Sequence, residues 1–144
     1  MTRSMNQYMD VIASFNVETN SKYLPKGNET YCNFFAQDVM KKLEADLPSG
    51  RCATMLEALE SGFSKWKYMA SYLATSFKAQ EGLPAIAITS DHIAIVRPYE
   101  STYPVNTGTV RIAQAGGSCF TNKPLSYGWN SNRHSEIKYY YWNE

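Results

Sequence analysis

The chain changes its hydrophobic period once, around Gly82 and Pro84, and that change limits the fold more than any other feature. Before it, apolar residues recur every three or four positions, the spacing of helices with one buried face. After it the period changes to two, in short β-rich runs of four to six residues. Helices first and strands later predict an α+β fold, with helices packed on one face of an antiparallel sheet. With 144 residues the chain is one domain's worth of sequence, since domains cluster near ~100–150 residues, and a single domain over 1–144 is expected.

The stripe Met5, Tyr8, Met9, Ile12 and Phe15 predicts a helix over about 4–15. The Asn-, Ser-, Pro-, Lys- and Gly-containing stretch from Asn16 to Thr30 reads as a loop. Cys32, Phe35, Ala36, Val39, Met40, Leu43 and Leu47 predict a second helix that opens near Tyr31 and is broken by Leu47-Pro48-Ser49-Gly50. A short helix over about 53–61 should end at Gly62, and Trp66, Met69, Ala70, Leu73 and Phe77 predict another over about 64–79. Strands are expected over 85–88, 92–96, 110–114 and the tyrosine-rich 137–142.

Composition removes several classes of function. Lys+Arg 14 against Asp+Glu 13 leaves a net charge of +1, without the basic surplus that drives phosphate binding, so no nucleic-acid partner is expected. No apolar run approaches the ~18 residues of a membrane span, and none is expected. Met1 to Gln7 lacks an apolar core, so no secretory signal is expected and synthesis is placed in the cytoplasm. Cys32, Cys52 and Cys119 form no C-x-x-C, and His92 and His134 are the only histidines. That is too few ligands for a structural zinc site and no disulfide framework, so neither metal nor cofactor is expected.

Cys32 stands in the opening turn of the second predicted helix. There the unpaired backbone N–H groups and the helix dipole favour a thiolate, and the same N–H groups can donate to an oxyanion. It also belongs to the inward stripe, so a small buried hydrophobe is the competing reading. His92 opens a strand on the face of Ala94 and Val96. It is either a core or strand-end histidine, or the base that takes the thiol proton and later protonates a leaving amine. Gln114 shares strand parity with Val110 and Ile112. It either faces water or accepts a hydrogen bond that fixes the His92 ring, with Asn122 the next candidate for that task. Asp91 neighbours His92 and leaves the opposite face, so it is the poorer orienter. Cys52 and Cys119 lack a comparable setting, and His134 lies in a polar stretch.

The segment Glu29-Thr30-Tyr31-Cys32-Asn33-Phe34-Phe35-Ala36-Gln37-Asp38-Val39 resembles the nucleophile helix of papain-like cell-wall hydrolases, the NlpC-type peptidases and the related CHAP amidases. Asp91-His92-Ile93-Ala94-Ile95-Val96-Arg97-Pro98 resembles their histidine strand, and Ile112-Ala113-Gln114-Ala115-Gly116 the strand that supplies a third polar group. The resemblance spans about residues 23–129. It implies a helical layer against an antiparallel sheet and cleavage of an amide in peptidoglycan, within the stem peptide or between peptide and muramic acid. It implies Cys32 as nucleophile, His92 as base and Gln114 as third member. Tyr23, or less well Tyr31, would lie near the oxyanion, and Asn33 and Asp91, beside the two reacting residues, on the substrate side. Asn33 stands where NlpC-type enzymes often carry a serine, and Gln114 where His, Asn or Glu is commoner.

The function so implied is a cysteine peptidase or amidase with peptidoglycan as partner. It would act in the periplasm or wall after delivery, as a phage lysis enzyme or as an antibacterial effector with delivery machinery and an immunity protein. A non-catalytic wall- or peptide-binding module, and a Cys-His acyltransferase or deamidating toxin, are the alternatives on the same residues.

Overall fold

The computed structural model describes residues 2–99 and 110–144. Its elements are α1 (Met5–Ser14), α2 (Cys32–Lys42), α3 (Cys52–Glu60), β1 (Trp66–Met69), α4 (Tyr72–Gln80), β2 (Ala85–Ile88), β3 (Ile93–Val96), β4 (Arg111–Gln114), β5 (Phe120–Pro124) and β6 (Lys138–Trp142). The strands form one antiparallel sheet in the order β1-β6-β2-β3-β4-β5. The helices pack against it, and the fold is α+β as the period change requires.

The centre of the sheet is dry. Every residue of β2 and β3 is buried, so the period of two expected here does not separate a buried face from an exposed one: both faces of these central strands are covered. Tyr8 anchors α1 there: the buried hydroxyl donates to the Val96 carbonyl at 2.6 Å, so the one polar atom of a fully buried ring is satisfied. Ser4 caps α1 through the Gln7 N–H. Gly82 turns the chain out of α4 at φ +82°, and a Cβ there would lie 2.5 Å from the Ser4 backbone, so only glycine fits.

The second helix is shorter than its stripe. It stops at Lys42 because Glu44 adopts the left-handed conformation (φ +56°). The Ala45 and Glu44 N–H groups then bond back to the Met40 and Lys41 carbonyls, a Schellman closure built without glycine. Residues 45–51 therefore return alongside α2 instead of prolonging it. Gln37 holds this return by donating to the Pro48 and Gly50 carbonyls, both at 3.1 Å.

The helix expected over 64–79 is two elements. Residues 66–69 are an edge strand paired with β6, Trp66 opposite Trp142 and Met69 opposite Tyr139. The helix begins only at Tyr72, where Ser71 accepts from the Ala74 N–H. The stripe misleads because its members do not share a buried face: Phe77 is 44% exposed, and α4 buries Thr75, Ser76 and Ala79 instead. Phe120–Pro124, outside the strands expected from the sequence, is the other edge strand; its polar composition and terminal proline are tolerated at a sheet edge.

Candidate active site

Cys32 occupies the first position of α2, whose first intrahelical hydrogen bond runs from the Phe35 N–H to the Tyr31 carbonyl. The N–H groups before Phe35 are those a helix start leaves open. The residue is 7% exposed, at the rim of the core rather than deep in it. His92 follows the tight turn that joins β2 to β3, closed by the Thr89 N–H on the His92 carbonyl at 2.9 Å. α2 packs across β3, so the helix start and the strand start meet. The His92 side chain and the Ile93 backbone N–H both act on the Cys32 sulfur in the sense that favours its thiolate.

Gln114 completes the line. Its Oε1 lies 2.7 Å from His92 Nε2, and its Nε2 donates to the Ser118 carbonyl at 2.9 Å. Ser118 fixes the amide, because a carbonyl accepts only from the amide nitrogen. The amide oxygen therefore faces His92 and requires a proton on its Nε2, which leaves Nδ1 as the ring nitrogen for Cys32. Gln114 is 4% exposed, so the bond is shielded from water. Continuing the β3–β4 register sets Gln114 opposite Ala94, diagonal to His92 on the same face.

A second set of residues holds the imidazole, and nothing in the sequence singles it out. The Trp129 ring meets it edge-on, with centroids 4.7 Å apart. Trp129 Nε1 donates to Thr89 Oγ1 at 3.0 Å, and the Thr89 hydroxyl donates to Asp91 at 2.8 Å. Arg133 grips both Asp91 oxygens at 2.9 and 3.0 Å, which holds the carboxyl down at about 2. Asp91 is thus committed to Arg133 and the turn. His134 is half-buried rather than solvated, its Nε2 3.0 Å from the Trp129 carbonyl.

The remaining candidates, three named for the oxyanion or substrate side and Asn122 for orienting His92, make contacts of their own. Tyr23 is 1% exposed, packs edge-on against Phe35 and donates its hydroxyl to Asp38 at 2.6 Å. Tyr31 donates to Glu29 and stacks on the exposed Phe34. The Asn33 amide donates to the Gly50 carbonyl at 3.3 Å. Asn122 accepts from Arg111 Nε at 2.8 Å.

Cys52 is the residue whose setting the sequence hides. It opens α3, is 6% exposed, and its sulfur lies 3.7 Å from that of Cys32. The hydrogen bond from Cys52 is the largest influence pulling the Cys32 thiol well below its ordinary range. Burial opposes it; the His92 hydrogen bond and charge and the Ile93 N–H add to it. Cys52 is pushed the other way by the same bond, by burial, and by the negative charges of Cys32 and Asp91. The contact thus favours the thiolate on Cys32, which the His92 and Ile93 groups also favour, and opposes it on Cys52, where the Asp91 charge acts in the same sense.

Among the described residues, no group of three or more His, Cys, Asp or Glu side chains could hold a metal ion, and no helix is long and apolar enough to cross a membrane. No protein-family model matches the chain. It is similar to peptidoglycan amidase Tse1 of Pseudomonas aeruginosa strain PAO1, 29% identical over an alignment of 120 residues that covers 78% of this chain and 75% of that protein.

Proposed function

We propose that the protein is a cysteine hydrolase that cleaves an amide of peptidoglycan through a thioester. The observation that carries this reading is the Cys32–His92–Gln114 line at the start of α2. The likeness to a peptidoglycan amidase supplies the substrate class. The Cys32 thiolate attacks the amide carbon, and the N–H groups of the α2 start donate to the developing oxyanion. His92, protonated on Nδ1 by the thiol and held through Nε2 by Gln114, protonates the departing amine. It then takes a proton from water as that water attacks the thioester. A neutral amide suffices as the third member, because the imidazolium is already balanced by the thiolate.

The site of action on this reading is the periplasm or wall, reached by delivery, as a phage lysis enzyme or an antibacterial effector; an effector would carry an immunity partner. Incubation with purified sacculi, followed by mass analysis of the soluble fragments, tests activity and identifies the bond. Fragments should appear with the native protein and not with Cys32→Ala. Intact sacculi, together with equal and slow alkylation of all three cysteines, would instead mark a binding module.

A further inference from the structure

We propose that Cys32 and Cys52 are a thiol–disulfide site, closed by a disulfide oxidant and reopened by a thiol, so that the nucleophile is withdrawn under oxidising conditions. The inference rests on the proposed role of Cys32 for its consequence, but not for its chemistry. The two sulfurs are in contact at 3.7 Å. A bond of about 2.05 Å therefore asks each sulfur to move by less than an ångström. Both residues hold the first position of a helix, so the shift falls on side chains at helix ends rather than within a helical turn.

The backbone keeps them together. Asn33 and Gln37, both on α2, donate to the Gly50 carbonyl, two residues before Cys52. Gln37 also holds Pro48. The third cysteine is engaged elsewhere: Cys119 Sγ contacts the Tyr23 and Gly116 carbonyls at 3.5 and 3.7 Å.

The chemistry balances with a low-molecular-weight disulfide, R–S–S–R, as oxidant. The Cys32 thiolate attacks one of its sulfurs; the S–S bond of the oxidant breaks and the first R–S⁻ leaves, taking the imidazolium proton. Cys32 then carries a mixed disulfide and no negative charge, so its thiolate no longer opposes ionisation of Cys52. The Cys52 sulfur attacks the Cys32 sulfur, and the proton it loses ends on the second departing R–S⁻. Two thiols are oxidised by two electrons, and one disulfide is reduced to two thiols. In the closed form Cys32 has neither a thiolate nor a proton for His92 to take.

The test uses the full chain with oxidised glutathione as probe, quenched by alkylation and read by peptide mapping, with no substrate present. The expected product has a Cys32–Cys52 bond and an alkylated Cys119, and dithiothreitol returns three alkylated cysteines. Cys52→Ser should stop at a glutathione adduct on Cys32, and Cys119→Ser should behave as the native chain. A native chain that stops at the Cys32 adduct, or that bonds Cys119, would overturn the proposal. Sacculus digestion by the same samples is the separate readout of function. Closure in the map without hydrolysis by the reduced protein would refute the amidase reading alone. Hydrolysis undiminished in fully closed protein would refute the switch.

Discussion

Gly128→Ala probes the positioning of His92 without touching the reacting groups. A Cβ at this position would lie 2.7 Å from Gln114 Oε1 and 2.8 Å from Ile112 Cδ1, where carbon contacts settle at about 3.5–4.0 Å. Ile112 is fully buried in β4 and has little room to yield, so the Gln114 amide moves and its 2.7 Å bond to His92 lengthens or breaks. Overpacking of this kind costs about 1–3 kcal/mol of stability, a loss of several degrees in Tm for a chain of this size. The bond itself, made to a ring that is charged in the thiolate–imidazolium pair, is worth about 1.5–3 kcal/mol. At ~1.4 kcal/mol per tenfold in rate, the expected fall in kcat/KM is about ten- to a hundredfold. The control is Gly117→Ala, where an added Cβ meets nothing within 4 Å; it should keep native kinetics and Tm. The assay is release of soluble fragments from sacculi at a temperature where circular dichroism shows all three proteins folded. Native kcat/KM and an unshifted pH profile for folded Gly128→Ala would refute the argument that Gln114 orients His92.

Four further outcomes are expected. Cys32→Ala removes one sulfur from a helix start, so it should abolish hydrolysis with a Tm loss of only a few degrees, whereas Cys119→Ala should stay active. His92→Ala should lose at least the ~10²–10⁴-fold that proton transfer contributes, and more than Gln114→Ala loses. Gln114→Glu keeps an acceptor toward His92 but sets a second acceptor 2.9 Å from the Ser118 carbonyl. It should remain active, move the basic limb of the pH profile upward and melt below the native protein; an unmoved limb in both Gln114 variants removes this residue from the site. Cys32 ionises lower in the folded protein than its ordinary 9.0. Its contribution to stability is therefore complete above that value and is lost as pH falls toward the folded one. An acid limb in kcat/KM should follow the same thiolate, and Cys52→Ala, which removes the largest influence lowering it, should move that limb to higher pH.

The local code reached much of this protein, but unevenly. Cys32 could be picked out because a helix start advertises itself through the polar loop before it and the stripe behind it. His92 and Gln114 share a face because strand parity is a local property, and their side chains lie 2.7 Å apart. The edge strands are illegible for the complementary reason. Trp66–Met69 and Phe120–Pro124 are each paired along one side only, and their residues satisfy no period strongly enough to declare a strand. In the first case a helical stripe ran through the break at Ser71 and was mistaken for one element. The sequence also carried α2 past Lys42, since nothing in Leu43-Glu44-Ala45 announces a left-handed glutamate.

The sequence by itself determined the α+β class, the order of helices before strands, and the placing of a cysteine and a histidine at the starts of their elements. These follow from hydrophobic period and from helix-end chemistry, both of which act over a few residues. Only the tertiary structure decided what surrounds them. The reversal at Glu44 brings residues 45–51 back along α2 and sets Cys52 against Cys32 across 20 positions of chain. The packing of residues 125–136 against the β2–β3 turn and β4 lays Trp129 on the His92 ring and leaves Gly128 no room for a side chain. Such contacts depend on where the chain returns, and a return is fixed by the packing of the whole core rather than by the residues that meet.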